Sequence, residues 1–265
     1  MSGVDRVRAA FTAAARQGRA ALLGYLTGGY PSPEQFGSCA EQLLRQVDLL
    51  EVGLPYSDPL GDGPVIQASS QQALERGATL ELLLGEVAAL RAQFSVPIAL
   101  MTYYNPIWSR GEEQFVQLCL AAGVDGLVLP DLPADEASSL IQVAGARGLA
   151  LTFLAAPTST SARIELAARA SSGFLYLVSV TGVTGMRSRE ALSEVPGMIE
   201  RVRRCSSVPL AVGFGISDPE AAAQLSQLAD GIVVGSAIVE AARRGEDLGN
   251  FAAALRAATT RYPSV

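Results

Sequence analysis

Histidine and lysine are both absent from this 265-residue sequence, so all 20 of its basic residues are arginine. Without lysine the chain cannot form a lysine Schiff base. Nor can it hold pyridoxal phosphate in the usual way. Without histidine it cannot build a histidine-ligated zinc site. Proton transfer must fall to Asp, Glu, Tyr or Cys. The three cysteines, Cys39, Cys119 and Cys205, lie far apart in helix-like segments. That spacing favours inert thiols over a disulfide or a metal site, and no metal is expected. No apolar run approaches the roughly 18–20 residues that cross a bilayer. The first residues, MSGVDRVRAAF, carry charge without a following apolar stretch, so a cytoplasmic address and no membrane association are expected. The net charge is −6, and clustered basic residues occur only as short pairs such as Arg203–Arg204 and Arg243–Arg244. Nucleic acid is therefore not an expected partner.

What is present is a regular alternation. Eight short, nearly continuous apolar runs fall at 21–29, 47–55, 97–105, 126–133, 149–157, 173–180, 209–216 and 231–239. Runs of this kind suit strands buried on both faces. Segments with helical spacing separate them, among them 34–45 and 114–122, and others open (4–16) and close (248–259) the chain. Capping signals stand at Ser32-Pro33-Glu34, Thr158-Ser159-Thr160 and Ser217-Asp218-Pro219. Eight β–α repeats without a linker predict one α/β domain over 1–265. The expected fold is a (βα)8 TIM barrel with an N-terminal helix and a short phosphate-binding helix after the eighth strand. A doubly wound open sheet is the alternative, but the first strand ends in TGGYPSP, not in a dinucleotide-binding glycine pattern.

In a barrel the chemistry sits at the C-terminal ends of the strands. Glu51 interrupts the otherwise apolar second strand, where burying a charge is costly. A buried glutamate has a raised pKa, which suits a group that gives and takes a proton; a buried ion pair with arginine is the other reading. The loop that follows, GLPYSDPLGDGP (53–64), is dense in Gly and Pro and carries Asp58 and Asp62, which are either turn residues or functional ones. Glycines recur at three consecutive strand ends, in TGVTGMR (181–187), GFGIS (213–217) and GSAIV (235–239). Such glycines let backbone N–H groups approach an anion, and a helix start adds a favourable dipole. The polar segment 181–193 reads as a lid over substrate or as a plain surface loop. Tyr25, Leu100, Tyr103, Tyr176 and Phe214, all near strand ends, suggest a flat apolar half to the substrate.

These stretches together resemble the tryptophan synthase α subunit family. The most specific match is LLEVGLPYSDPLGDGPVIQASSQQAL (49–74), supported by YLTGGYPS, LPDLP, APTST, LVSVTGVTG, GFGISDPE and GSAIV in the family's order. The resemblance implies retro-aldol cleavage of indole-3-glycerol phosphate to indole and glyceraldehyde 3-phosphate. It implies Glu51 as the catalytic acid and base and Asp62 as the carboxylate holding the indole N–H. Tyr25, Leu100, Tyr176, Thr184, Gly185, Phe214, Gly215, Gly235 and Ser236 would bind substrate, the glycines and Ser236 at its phosphate. It also implies a β subunit as partner in an α–β–β–α complex, with pyridoxal phosphate on that partner and no cofactor in this chain. Val52 and Gly61 depart from the usual pattern, and Gly61 is expected to loosen the loop that places Asp62. Three rivals remain: a stand-alone lyase releasing free indole, a non-catalytic allosteric module for a β subunit, and another phosphosugar barrel enzyme such as an isomerase, a class that often uses the lysine or histidine this chain lacks.

Overall fold

The computed structural model describes residues 1–178, 189–206, 208–213 and 215–261. Eight parallel strands close into a barrel in sequence order: β1 Ala21–Thr27, β2 Leu49–Gly53, β3 Ile98–Met101, β4 Gly126–Leu129, β5 Ala150–Ala155, β6 Leu175–Val178, β7 Leu210–Gly213 and β8 Gly231–Val234. Every expected strand is present but shorter than its apolar run, because the ends of those runs leave the ladder. Residues 104 and 105, expected in the third strand, open a helix instead, and so do residues 236–239 after the eighth.

Helix α1 (Gly3–Arg16) precedes the barrel. The main crossover helices are α2 (Pro33–Leu44), α4 (Leu80–Arg91), α6 (Glu112–Ala121), α7 (Ser138–Arg147), α8 (Ser161–Ala170), α9 (Arg189–Cys205) and α10 (Pro219–Ser226), with α12 (Leu248–Ala258) closing the ring. Three further helices lie between strand ends and the main helices: α3 (Pro64–Glu75), α5 (Tyr104–Arg110) and α11 (Ser236–Arg243). The short helix expected after the eighth strand is α11. Of the anticipated caps, Thr160 and Asp218 accept the Arg163 and Ala221 N–H groups, whereas Ser32 makes no side-chain cap and α2 relies on Pro33 in its first turn. The segment expected as a lid to residue 193 is helical from Arg189, and its remainder lies outside the described residues. The reason is a buried stripe further along α9, Val195, Met198, Ile199 and Val202, at helical spacing.

Two apolar layers follow from the strand alternation. Leu22, Leu26, Leu50, Val52, Leu100 and Leu127 pack outward against the helices. Leu23, Leu49, Ala99, Val128, Ala150, Phe174, Ala211 and Val233 face inward. Helix α1 closes the N-terminal end by placing Val7, Phe11 and Ala14 into this inner cluster, with Phe11 and Phe174 ring centroids 5.4 Å apart. Burial of Phe11 contributes about 2 kcal/mol.

The same end is tied by side chains placed just before the even strands. Asp48 accepts the Leu22 N–H at 2.8 Å, Asp125 the Ile98 N–H at 2.9 Å, Ser172 the Leu151 N–H at 2.9 Å and Asp230 the Leu210 N–H at 2.8 Å. Each therefore satisfies an amide at the start of the preceding odd strand, the first in β3 and β7 and the second in β1 and β5. Each aspartate also holds two arginines: Arg19 and Arg256 on Asp48, Arg6 and Arg91 on Asp125, Arg203 and Arg261 on Asp230. No described helix is long and apolar enough to cross a membrane.

Candidate active site

The register puts Tyr25, Glu51 and Ala99 side by side on β1, β2 and β3. Ala99 belongs to the inner cluster, so Glu51 also points into the barrel, one layer above Leu49. Glu51 is fully buried, and neither carboxylate oxygen has a hydrogen-bond partner among the described residues. No described arginine pairs with it, which removes the ion-pair reading for these residues. Desolvation, and then the nearby charge of Asp62, push its pKa up to about 8. An orphaned buried carboxyl is costly to keep, so it is expected at a site of chemistry.

Asp62 hangs over this group from the loop after β2. Burial raises its pKa to about 6, and a hydrogen bond from Tyr103 opposes the rise. The loop is well tied despite its glycines. The Gly61 N–H donates to the Tyr103 hydroxyl at 2.9 Å, and the Asp62 N–H donates to the Pro59 carbonyl at 3.0 Å. From α3, the Gln67 side chain donates to the carbonyls of Pro59 and Asp62 at 3.3 and 2.9 Å. Tyr103 has one proton; accepting from Gly61 leaves that proton for Asp62. A Cβ on residue 61 would stand 3.3 Å from the Tyr103 hydroxyl. The glycine that was expected to loosen the loop thus permits close approach of the tyrosine that anchors it. Tyr103 in turn stacks on Tyr56, ring centroids 4.9 Å apart. Asp58 is exposed and bonded only locally, accepting from Ser57 at 2.6 Å.

Two further tyrosines wall the cavity. The Tyr25 ring lies over Gly53, where any Cβ would collide with it, and the Tyr176 ring lies over Gly213 in the same way. Burial raises both phenols far above their usual range, and both feel the charges of Glu51 and Asp62. Tyr25, Tyr176, Glu51 and Asp62 therefore converge on one space. Gly235, the residue before α11, backs onto Tyr25: a Cβ there would meet Tyr25 carbons at 3.6–3.8 Å. Ser236 begins α11, and Gly215, after β7, holds the positive φ of 61° that glycine tolerates best.

Leu100 requires correction. It is fully buried in the outer layer between strands and helices, paired in register with Val52 and Leu127. Strand alternation turns its neighbour Met101 to the interior, where it packs against the inner cluster. The apolar wall on β3 is therefore Met101, and counting two residues from Ala99 would have found it. Tyr103 is the other residue whose role the sequence does not single out; it stands there only as one of several strand-end aromatics. Thr184, Gly185 and Phe214 lie outside the described residues. Among the described residues, no three His, Cys, Asp or Glu side chains gather as a metal site.

This arrangement has close counterparts. The family model described as tryptophan synthase alpha chain matches residues 11–261. A tryptophan synthase alpha chain from Deinococcus radiodurans is 50% identical over 259 residues, covering 98% of this chain and 96% of the relative. A solved tryptophan synthase structure from Mycobacterium tuberculosis superposes with a TM-score of 0.90 at 36% identity, covering 97% of this chain and 99% of that one. A chain of the tryptophan synthase α2β2 complex from Pyrococcus furiosus gives 0.80 at 34% identity, covering 90% and 96%. This barrel, with its buried glutamate below a tied aspartate loop and a match over nearly its whole length, belongs to the tryptophan synthase alpha chain family and so to tryptophan biosynthesis.

Proposed function

We propose that this chain is a lyase that cleaves indole-3-glycerol phosphate to indole and glyceraldehyde 3-phosphate, with Glu51 moving the protons and Asp62 holding the indole N–H. The observation that carries this reading is the fully buried Glu51 carboxyl with no partner among the described residues, beside a second carboxylate of lower pKa. Between about pH 6 and 8 the first is protonated and the second charged. One fold thus supplies an acid and a fixed anion.

The chain has no lysine with which to form an imine. The indole ring serves as the electron sink. Protonated Glu51 delivers its proton to C3 of the ring, and the positive charge that develops at the ring nitrogen is stabilised by Asp62. The Glu51 carboxylate then takes the proton of the hydroxyl on the adjacent side-chain carbon. That carbon becomes the aldehyde as the carbon–carbon bond breaks, and the bonding pair returns to the ring. Glu51 ends protonated, so one proton has moved from hydroxyl to C3 and no co-reactant is consumed.

Tyr25, Met101 and Tyr176 line the apolar half. By family resemblance Gly185, Gly215, Gly235 and Ser236 bind the phosphate, Phe214 belongs to the apolar half and Thr184 also contacts substrate. The start of α11 favours an anion through its free N–H groups and dipole. The whole of 1–265 acts as one catalytic unit in the cytoplasm. A β subunit carrying pyridoxal phosphate docks at the barrel mouth, where Leu60 and Trp108 are 89% and 70% exposed beside the Asp62 loop and on α5.

Indole release from indole-3-glycerol phosphate, measured on the purified chain with and without a tryptophan synthase β subunit, tests this reading. Slow cleavage alone that rises strongly with the partner is the expected result. Fast cleavage alone would make the chain a stand-alone lyase, and no cleavage in either state would leave an allosteric module.

A further inference from the structure

Three buried hydroxyls run in line from the barrel interior to α3. The Tyr25 hydroxyl lies 3.3 Å from Thr27 Oγ1, Thr27 Oγ1 lies 2.6 Å from Ser69 Oγ, and Ser69 Oγ lies 2.8 Å from the Ile66 carbonyl oxygen. Tyr25 is 5% exposed, Thr27 0% and Ser69 1%. A carbonyl can only accept, so the single Ser69 proton is committed to Ile66. Thr27 must then donate to Ser69, and Tyr25 to Thr27. One backbone carbonyl on α3 therefore sets the direction of all three protons, each donated toward α3.

We propose that Ser69 is a positioning residue that acts through Thr27 to hold the Tyr25 hydroxyl as a hydrogen-bond acceptor toward the substrate cavity. Turned this way, Tyr25 offers lone pairs to a donor in the cavity, such as a substrate hydroxyl. It cannot spend its proton on Glu51, whose oxygens have no partner among the described residues. The same helix holds the Asp62 loop through Gln67, so one element orders both sides of the cavity. Ser69 makes this link from a helix with no other group aimed at Thr27 among the hydrogen bonds of the described residues.

The inference rests on the lyase reading for its kinetic test but not for its spectroscopic one. Ser69→Ala should lower kcat about fivefold with little change in KM, the size expected for one lost hydrogen bond. Thr27→Val, which keeps shape and removes the relay, should do the same, and the two losses should not add. In a Tyr25→Phe background neither change should cost anything further. An equal loss in that background would overturn the proposal, since Ser69 would then act through packing of α3. Independently of activity, the tyrosine Raman doublet, which reports whether a phenol donates or accepts, should change in Ser69→Ala and Thr27→Val and stay unchanged when Tyr25 is Phe. Wild-type indole release with the β subunit is the control: its absence would sink the lyase reading, while the Raman comparison would still decide the role of Ser69.

Discussion

The two ends of this barrel treat the same functional group in opposite ways. At the N-terminal end, Asp48, Asp125 and Asp230 each accept a strand amide and hold two arginines. At the C-terminal end, Glu51 is as buried as Asp125 and more deeply buried than Asp48 or Asp230, and it has none of these among the described residues. A partnered carboxylate ties neighbouring elements together through charge-assisted hydrogen bonds. An orphaned one is driven toward its neutral form and becomes a proton carrier. Between Glu51 and Asp125 burial distinguishes nothing; what differs is the partner set.

The sharpest way to break that contrast is Glu51→Gln. Indole release should fall by at least about 10³-fold, because the proposed acid and base is lost. The fold should persist, and its pH response should change in a defined direction. The Glu51 pKa is raised from 4.5 to about 8, so the folded state binds the proton more tightly than the unfolded chain. Wild-type stability should therefore be greatest below about pH 4.5 for this group and decline as pH rises toward 8, by proton linkage. The Gln variant should lack that part of the decline in urea melts at a series of pH values. A variant with the wild-type slope would show that Glu51 is not the buried acid.

Asp125→Ala probes the other end. It removes the carboxylate from the Ile98 amide and from Arg6 and Arg91, which keep only the Met1 and Val96 carbonyls, and should cost about 3 kcal/mol in urea unfolding. Turnover of the folded fraction should be unchanged; a large fall in kcat would mean the two ends are not separable. Asp62→Asn should lower kcat about 10²-fold with the melting temperature nearly constant, through loss of the anion beside the ring nitrogen. Between about pH 6 and 8 the wild-type rate should pass through a maximum, and the Asn variant should lose the acidic limb. The smallest effect expected is Tyr103→Phe. It frees the Gly61 amide and removes a donor from Asp62, and should lower kcat about fivefold. Because the same bond holds the Asp62 pKa down, the acidic limb should move to higher pH in this variant.

The division between legible and hidden features follows from how each is encoded. Strand number and order were legible because buried parallel strands are continuous apolar runs, and Glu51 was legible because it breaks one. The aspartates at the other end are just as visible in VDLLE, GVDGL and ADGIV, yet nothing local marks them as arginine clamps; Arg19 and Arg256 meet Asp48 from opposite ends of the chain. Leu100 and Met101 show the limit at single-residue scale. Both are apolar at a strand end, and only the register against Glu51 says which one faces inward.

By itself the sequence determined the barrel and marked Glu51, since apolar period and an out-of-place charge are properties of neighbouring residues, while the family and the singling out of Asp62 came from the resemblance of whole motifs. Only the tertiary structure decided that Glu51 has no partner among the described residues, that Tyr103 anchors the Gly61–Asp62 turn and that Ser69 reaches Tyr25 through Thr27. Those are hydrogen bonds, made or missing, between residues tens of positions apart, and closure of the barrel is what brings them within reach.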